Sequence, residues 1–362
     1  MNLTGYRLTN QQLAQHQFAS PVGVVEWLGA VQAQDYTAAK WAIGQRLPAS
    51  TDLKIEQAFA EGAILRTHVM RPTWHFISPA DIRWMLELTA PRVNAISAYY
   101  YRQLDLDAAF FARSRKAIVK ALEGGRALTR QELASVLQCA GIVKHDAPGA
   151  DLRMTYIMGR AELDGIVCSG ARRGKQFTYA LLHERAPGAK TRSRNEALAE
   201  LATRYFTSRG PALLQDFAWW SGLTLKDARA ALEIVKSNLI GEVSGDQTYW
   251  MPATVPSMKN GGGRGYLLPN FDEYVIAYAD RRAICESAYV KTVDSRGNVL
   301  FNHTIVLDGK IAGTWKRSIA KTRVMIEVKP FTPMNTAQTR KIAAAAKRYG
   351  AFLGLEVSTV FT

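Results

Sequence analysis

One short stretch, Val31-Gln32-Ala33-Gln34-Asp35-Tyr36, sets two primary amides and a carboxylate close together in an otherwise apolar setting. A primary amide offers one acceptor oxygen and two donor hydrogens and does not ionise, so it orients a partner without exchanging a proton. A carboxylate can take a proton or steady a positive charge. Ser20-Pro21 reads as an N-cap followed by a first helical proline, and the helix it opens is expected to reach Val31. Gln32 then lies four residues after Leu28 and seven after Val25, on their apolar stripe. Burying an amide without partners costs on the order of 1–3 kcal/mol, so a buried Gln32 must be held by something. Spacing alone leaves two readings open. Either Gln32 satisfies backbone groups where the helix ends, Gln34 is loop surface and Asp35 caps the next turn, or the three residues form a site.

The familiar catalytic sets are missing. The six histidines, His16, His68, His75, His145, His183 and His303, show no HExxH or other tight metal-ligand spacing. There is no GxSxG, no Walker sequence and no GxGxxG after a strand. Cys139, Cys168 and Cys285 are far apart, which excludes a cysteine-rich zinc or four-cysteine iron–sulfur site and fits a reducing cytoplasm. No metal and no cofactor are expected. Lys and Arg number 46 against 31 Asp and Glu, a formal charge of +15, which points to a polyanion as partner. A membrane is the weaker choice: no run of about 18 apolar residues appears, and the first ten residues lack the layout of a secretory signal. At 48% hydrophobic and 21% charged residues the chain is expected to pack as a globular protein. The expectation is a cytoplasmic, nucleoid-associated, monomeric protein that holds nucleic acid and no membrane.

The elements that must position these residues come in repeating order. A first unit, residues 1–112, has helices near 20–31 and 52–61. Then come strands Ile64-Leu65-Arg66-Thr67-His68-Val69 and Thr73-Trp74-His75-Phe76-Ile77 about an Arg71-Pro72 turn, and a helix opened by Ser78-Pro79 with Asp81 at its third position. A second unit, 113–190, has helices at 117–122, from the capping box Thr129-Arg130-Gln131-Glu132, and at 152–163. It ends in strands flanking a tip that carries Arg172, Arg173 and Lys175. A third, 191–258, shows the helical stripe Leu198, Leu201, Ala202, Tyr205 and Phe206, helices at 213–220 and from Thr224, and a hairpin at 240–251 turned at Gly245-Asp246. Beyond the glycines of 260–265 strands dominate, at 289–293, 304–307, 311–316 and 323–328, with Asp308-Gly309 as a hairpin turn and a final helix at 336–349. Residues 259–362 thus read as a small β-barrel or sheet with one helix. The class is α+β, with three tandem winged-helix (helix-turn-helix) units plus the β domain.

The Gln32-Ala33-Gln34 segment resembles the glutamine–hydrophobic–glutamine motif of the AlkZ/YcaQ-like winged-helix DNA glycosylases. Other stretches resemble the same family: Leu65 to Phe76, then Leu268-Pro269-Asn270-Phe271-Asp272-Glu273-Tyr274, and Val306-Leu307-Asp308-Gly309 with Gly313-Thr314-Trp315. These stretches span nearly the whole chain, while the central units match by element order alone. The YcaQ-like branch is expected to carry aspartate where this chain has Gln34, so the resemblance is to the AlkZ-like branch, with Ala33 a small choice for the middle residue.

The resemblance implies a C-shaped clamp on duplex DNA and a monofunctional glycosylase that hydrolyses the N-glycosidic bond of N7-alkylated guanine, bulky adducts and interstrand crosslinks included. It implies Gln32 and Gln34 as the residues that position the attacking water, with Asp35 steadying the sugar cation or taking the water's proton. DNA contacts are expected from Arg66, His68, Arg71 and His75 of the hairpin and from Arg172, Arg173 and Lys175 of the second wing. Trp74 is a further candidate for DNA contact, with core packing as its alternative, and Trp219 and Trp220 are expected in cores. The alternative is a winged-helix transcriptional regulator without catalysis, which would prefer one DNA sequence.

Overall fold

Ser20 and Pro21 open a helix as their types dictate. Ser20 Oγ accepts from the Gly23 N–H at 3.2 Å, and Pro21 occupies the first turn, where a missing N–H costs nothing. The helix Pro21–Leu28 stops three residues short of the expected end, because Gly29 turns the chain at φ 73°. Val31–Gln32 is extended, so Gln32 is buried on a short strand and not on a helical stripe. Asp35 then caps a helix absent from the sequence reading, Tyr36–Gly44.

The computed structural model describes residues 1–143, 149–253, 263–290 and 302–362. Part of the expected strand at 289–293 and the first half of the glycine run at 260–265 lie outside the described residues; Ser287–Tyr289 is a turn of 3₁₀-helix. Contacts gather the chain into two compact units.

One unit contains Met1–Gln57, Leu198–Trp220 and Thr224–Thr362. Its five-stranded sheet runs in the order Glu356–Phe361, Arg323–Pro330, Lys310–Ile319, His303–Leu307, Gly265–Leu268. Neighbours are antiparallel, except that the last strand in the sequence joins Arg323–Pro330 in parallel. The tight turn between His303–Leu307 and Lys310–Ile319 uses Asp308 (φ 50°) and Gly309 (φ 81°), as the Asp-Gly pair predicts. Helix Thr336–Leu353 opens with an Asn335/Gln338 capping box and ends at left-handed Gly354. It buries Ile342, Ala346, Tyr349 and Phe352, the last two against Trp41 of the capped helix, with ring centroids 5.1 Å apart. The hairpin Leu239–Ser244/Gln247–Pro252 matches its expected place.

The other unit contains Ala58–Ala197 and Ser221–Leu223. Strands Leu65–Val69 and Arg71–Ile77 form its hairpin, and the turn falls on Met70 (φ 64°), one residue before the expected Arg71-Pro72. Asp81 stands at the N-cap position of helix Ile82–Gln103 and not inside it; its carboxylate makes no cap bond to the backbone and accepts instead from Ser78 Oγ (2.9 Å) and Trp84 Nε1 (3.0 Å). Helices Ala108–Leu122, Arg130–Cys139 and Ala150–Leu163 enclose a core of Phe110, Ile118, Leu122, Leu133, Leu137, Ile157 and Met158. The Thr129/Glu132 capping box is formed in full.

Candidate active site

The Leu28–Gln32 backbone is gripped by a fully buried ion pair. Arg209 Nη1 donates to the Leu28 carbonyl (2.7 Å) and Nη2 to the Ala30 carbonyl (3.2 Å). Glu273 Oε1 accepts the Gln32 N–H at 3.1 Å. The two holders bind each other, Arg209 donating to Glu273 Oε2 through Nε (3.1 Å) and Nη2 (2.5 Å), while Trp220 Nε1 donates to the same oxygen at 2.9 Å. Arg209 and Glu273 have no exposed side-chain surface, so every hydrogen bond here works without competition from water. Gln32 is only 4% exposed, whereas Gln34, two residues on, is exposed. The segment therefore climbs from a fixed buried floor to solvent.

Asp35 has two tasks in this structure. Its Oδ1 accepts the Ala38 N–H at 3.0 Å as helix cap, and its Oδ2 accepts from Asn270 Nδ2 at 3.3 Å. The cap is the turn role that the sequence left open; the second contact reaches across the fold. Asn270 is held in turn by His303, whose Nδ1 accepts the Asn270 N–H at 2.8 Å. A nitrogen that accepts a backbone N–H cannot itself carry a proton. Burial, reinforced by the Arg317 charge and opposed by Asp35, pulls the His303 imidazole down to about 4. His303 stacks on Trp315 at 4.7 Å. Asp272 forms a two-point pair with buried Arg46, both contacts 2.8 Å, and Tyr274 Oη donates to the Gly309 carbonyl at 2.8 Å. The stretch Asn270-Phe271-Asp272-Glu273-Tyr274 is thus the anchor of the glutamine segment.

A pH effect follows. The His303 proton affinity is lower in the folded chain than the ordinary 6.5, so the unfolded chain binds more protons between pH 6.5 and about 4. Stability should be full above about pH 6.5 and fall as pH drops toward 4, by about 3 kcal/mol at 1.36 kcal/mol per unit. His303→Gln should flatten that part of the profile when urea midpoints are compared from pH 7.5 to 4.

In the other unit the structure separates the residues expected to touch DNA. His75 has no exposed surface and its Nδ1 lies 3.0 Å from the Thr73 carbonyl, so it packs inside and does not present itself to a groove. Arg66 is also interior: its guanidinium sits 4.4 Å from the Trp74 ring and 4.5 Å from Phe177. His68 is paired with buried Glu162 and lies against Trp74. Arg71 is half-buried beside the turn. At the tip between the strands Val167–Ser169 and Thr178–Leu181, Arg173 is committed to Glu132 through both terminal nitrogens, and also donates to the Ala127 carbonyl at 2.9 Å. That pairing holds the Glu132 carboxyl down at about 2. Lys175 is exposed at the tip, and Arg172 lies 5.2 Å from the Phe177 ring. Trp220 is buried as expected, but Trp219 is 45% exposed. Among the described residues no three His, Cys, Asp or Glu side chains gather in a way that could hold a metal ion, and no helix is long and apolar enough to cross a membrane.

A family model for AlkZ-like DNA glycosylases matches residues 25–352, from within the helix Pro21–Leu28 to within the helix Thr336–Leu353. The chain belongs to the AlkZ-like DNA glycosylase family. It is similar to the interstrand DNA cross-link repair glycosylase of Streptomyces sahachiroi, 23% identical over 327 residues and covering 86% of each protein. Its fold is similar to that of a solved structure of Streptomyces sahachiroi DNA glycosylase AlkZ, with a TM-score of 0.80 at 20% identity, covering 99% of this chain and 98% of that one. For an AlkZ-like glycosylase, the residues that motif reading missed are Arg209, Asn270, Glu273 and His303. Only the quoted Asn270–Tyr274 stretch signalled any of them, and it signalled no role.

On a glycosylase this tip makes a sharp prediction about DNA. Lys175→Gln should lower the slope of log affinity against log salt by about 0.9 if the tip meets a phosphate. Arg173→Gln should leave that slope unchanged, because Glu132 already offsets its charge. Fluorescence anisotropy with an undamaged duplex over a salt series reads both.

Proposed function

We propose that this AlkZ-like glycosylase hydrolyses the N-glycosidic bond of N7-alkylated guanine in duplex DNA, with an attacking water positioned by Gln32 and Gln34. The reading is supported above all by the Arg209–Glu273 clamp, which fixes the backbone beneath the two amides from the Leu28 carbonyl to the Gln32 N–H. Alkylation at N7 leaves the purine cationic, so the base departs neutral, taking the electron pair of the C1′–N9 bond without a general acid. The sugar becomes an oxocarbenium ion, and water adds its oxygen at C1′ and loses a proton to solvent or to Asp35. So reactive an electrophile needs a placed nucleophile more than a strong base, and placement can contribute about 7–11 kcal/mol at its upper end. Two amides that accept and donate suit that task.

The named activity of the Streptomyces sahachiroi relative extends the proposal to interstrand crosslinks. Incubation with duplex carrying a single N7-methylguanine, followed by alkali, should break the strand at the lesion; a duplex crosslinked through two guanine N7 atoms should separate on a denaturing gel. Binding of damaged duplex with no strand break across adducts of several sizes would refute the assignment. Preference for one undamaged sequence would favour a regulator.

A further inference from the structure

A cavity of about 150 Å³ lies between the capped helix Tyr36–Gly44, the strand Gly265–Leu268 and the helix Thr336–Leu353, all within one unit. Its polar lining is of one sign. Arg264, Arg348 and His16 line it with Tyr266 and Ser50, and no Asp or Glu is among its described lining residues. The Tyr266 ring is 4% exposed, yet its hydroxyl is buried without a hydrogen-bond partner, as is Ser50 Oγ. Arg348 Nη2 is fixed by the Gly265 carbonyl at 2.6 Å. Arg348 is exposed as a residue, but partial desolvation of its guanidinium and then Arg264 pull it below the ordinary arginine range, while burial keeps the Tyr266 hydroxyl protonated.

This combination gathers hydrogen-bond donors and positive charge about one space. A buried hydroxyl without a partner costs about 1–3 kcal/mol, and water could relieve that. Arg264 and Arg348 are exposed residues, so water solvates them as well, but it leaves their like charges unneutralised. A group with several acceptor oxygens and negative charge does both at once, and arginine with hydroxyl donors is the usual means of holding one. We propose that this cavity is an oxyanion site that takes a phosphate group, with Arg264 and Arg348 supplying the charge and the Tyr266 and Ser50 hydroxyls donating. The phosphate belongs either to a free anion or to the backbone of a nucleic acid. Gln32, Gln34 and Asp35 are not among its described lining residues, so its test does not depend on base release.

The test titrates sodium phosphate against sodium chloride at matched ionic strength, pH 7.5, and follows melting temperature. Wild type should show a saturable rise with phosphate alone. Arg264→Gln, at an exposed position, should weaken phosphate binding about tenfold or more, and Tyr266→Phe, which keeps the buried ring, about tenfold. A second arm adds undamaged duplex. If the phosphate is DNA's, duplex displaces phosphate and Arg264→Gln lowers the salt slope of duplex binding by about 0.9; if it is a free anion, phosphate binding survives duplex and the slope is unchanged. Phosphate that stabilises wild type no more than chloride, together with an unchanged slope in Arg264→Gln, overturns the proposal. So does phosphate binding of wild-type strength in both variants.

Discussion

Gln34→Ala is expected to slow single-turnover release of N7-methylguanine about a hundredfold, with melting temperature and duplex affinity near those of wild type. Gln34 is exposed, so its loss leaves no cavity and no buried donor. What disappears under the proposed mechanism is one of two amides on the water. Removing a single placed hydrogen-bonding group from a transition state commonly costs about 2.7–4 kcal/mol, or a factor of 10²–10³. Gln32→Ala should slow release at least as much and also destabilise the fold, since Gln32 is buried. The double variant should be little worse than either single one, because two groups that hold one water act as a unit. Asp35→Asn separates the charge from the contacts: asparagine still caps the helix Tyr36–Gly44, and its new amide hydrogens can meet Asn270 Oδ1, which is buried without a partner. A large rate loss in Asp35→Asn alone, with both glutamine variants fully active, would move the chemistry from the amides to the carboxylate.

The sequence made local features plain where a few neighbouring residues determine them. The Thr129/Glu132 box, the Ser20-Pro21 start and the Asp308-Gly309 turn each satisfy backbone groups within three or four positions, and each is where its residues predict. The burial of Gln32 was also legible, but its element was not. A stripe through Val25 and Leu28 continues to Gln32 only if the helix does, and Gly29 ends it by entering a conformation that glycine adopts without strain. The strand Glu356–Phe361 escaped notice because it is a largely exposed edge with no continuous apolar signal. His75 was expected at DNA because a hairpin carrying Arg and His can reach phosphates or a groove, yet residues 75–78 are all buried. The holders of the site were beyond local reading altogether. Gln32 and Glu273 lie 241 positions apart, and Arg209 and Glu273 lie 64 apart. An isolated glutamate in Asn270–Tyr274 carries no mark of a partner brought to it only by folding.

Glu273→Gln should be the most destabilising single change in this site. It leaves the Arg209 guanidinium buried with no counter-charge, and breaking a buried pair in this way costs about 3–5 kcal/mol. The urea midpoint should fall accordingly, and the rate should fall with it, because the one remaining oxygen cannot accept from both the Gln32 N–H and the Arg209 and Trp220 donors. A loss in both quantities does not by itself distinguish a clamp that positions the amides from one that merely holds the fold. The pair Arg209→Met/Glu273→Leu makes the distinction. Replacing both charges by apolar groups of similar size removes the unpaired ion, and such exchanges are often close to neutral for stability. The double variant should therefore regain much of the lost urea resistance. It supplies no acceptor for the Gln32 N–H and no donors for the Leu28 and Ala30 carbonyls, so the backbone under the two glutamines remains unheld. Base release should stay about as slow as in Glu273→Gln, and recovery of the wild-type rate along with the stability would show that the ion pair supports the fold without aiming the chemistry.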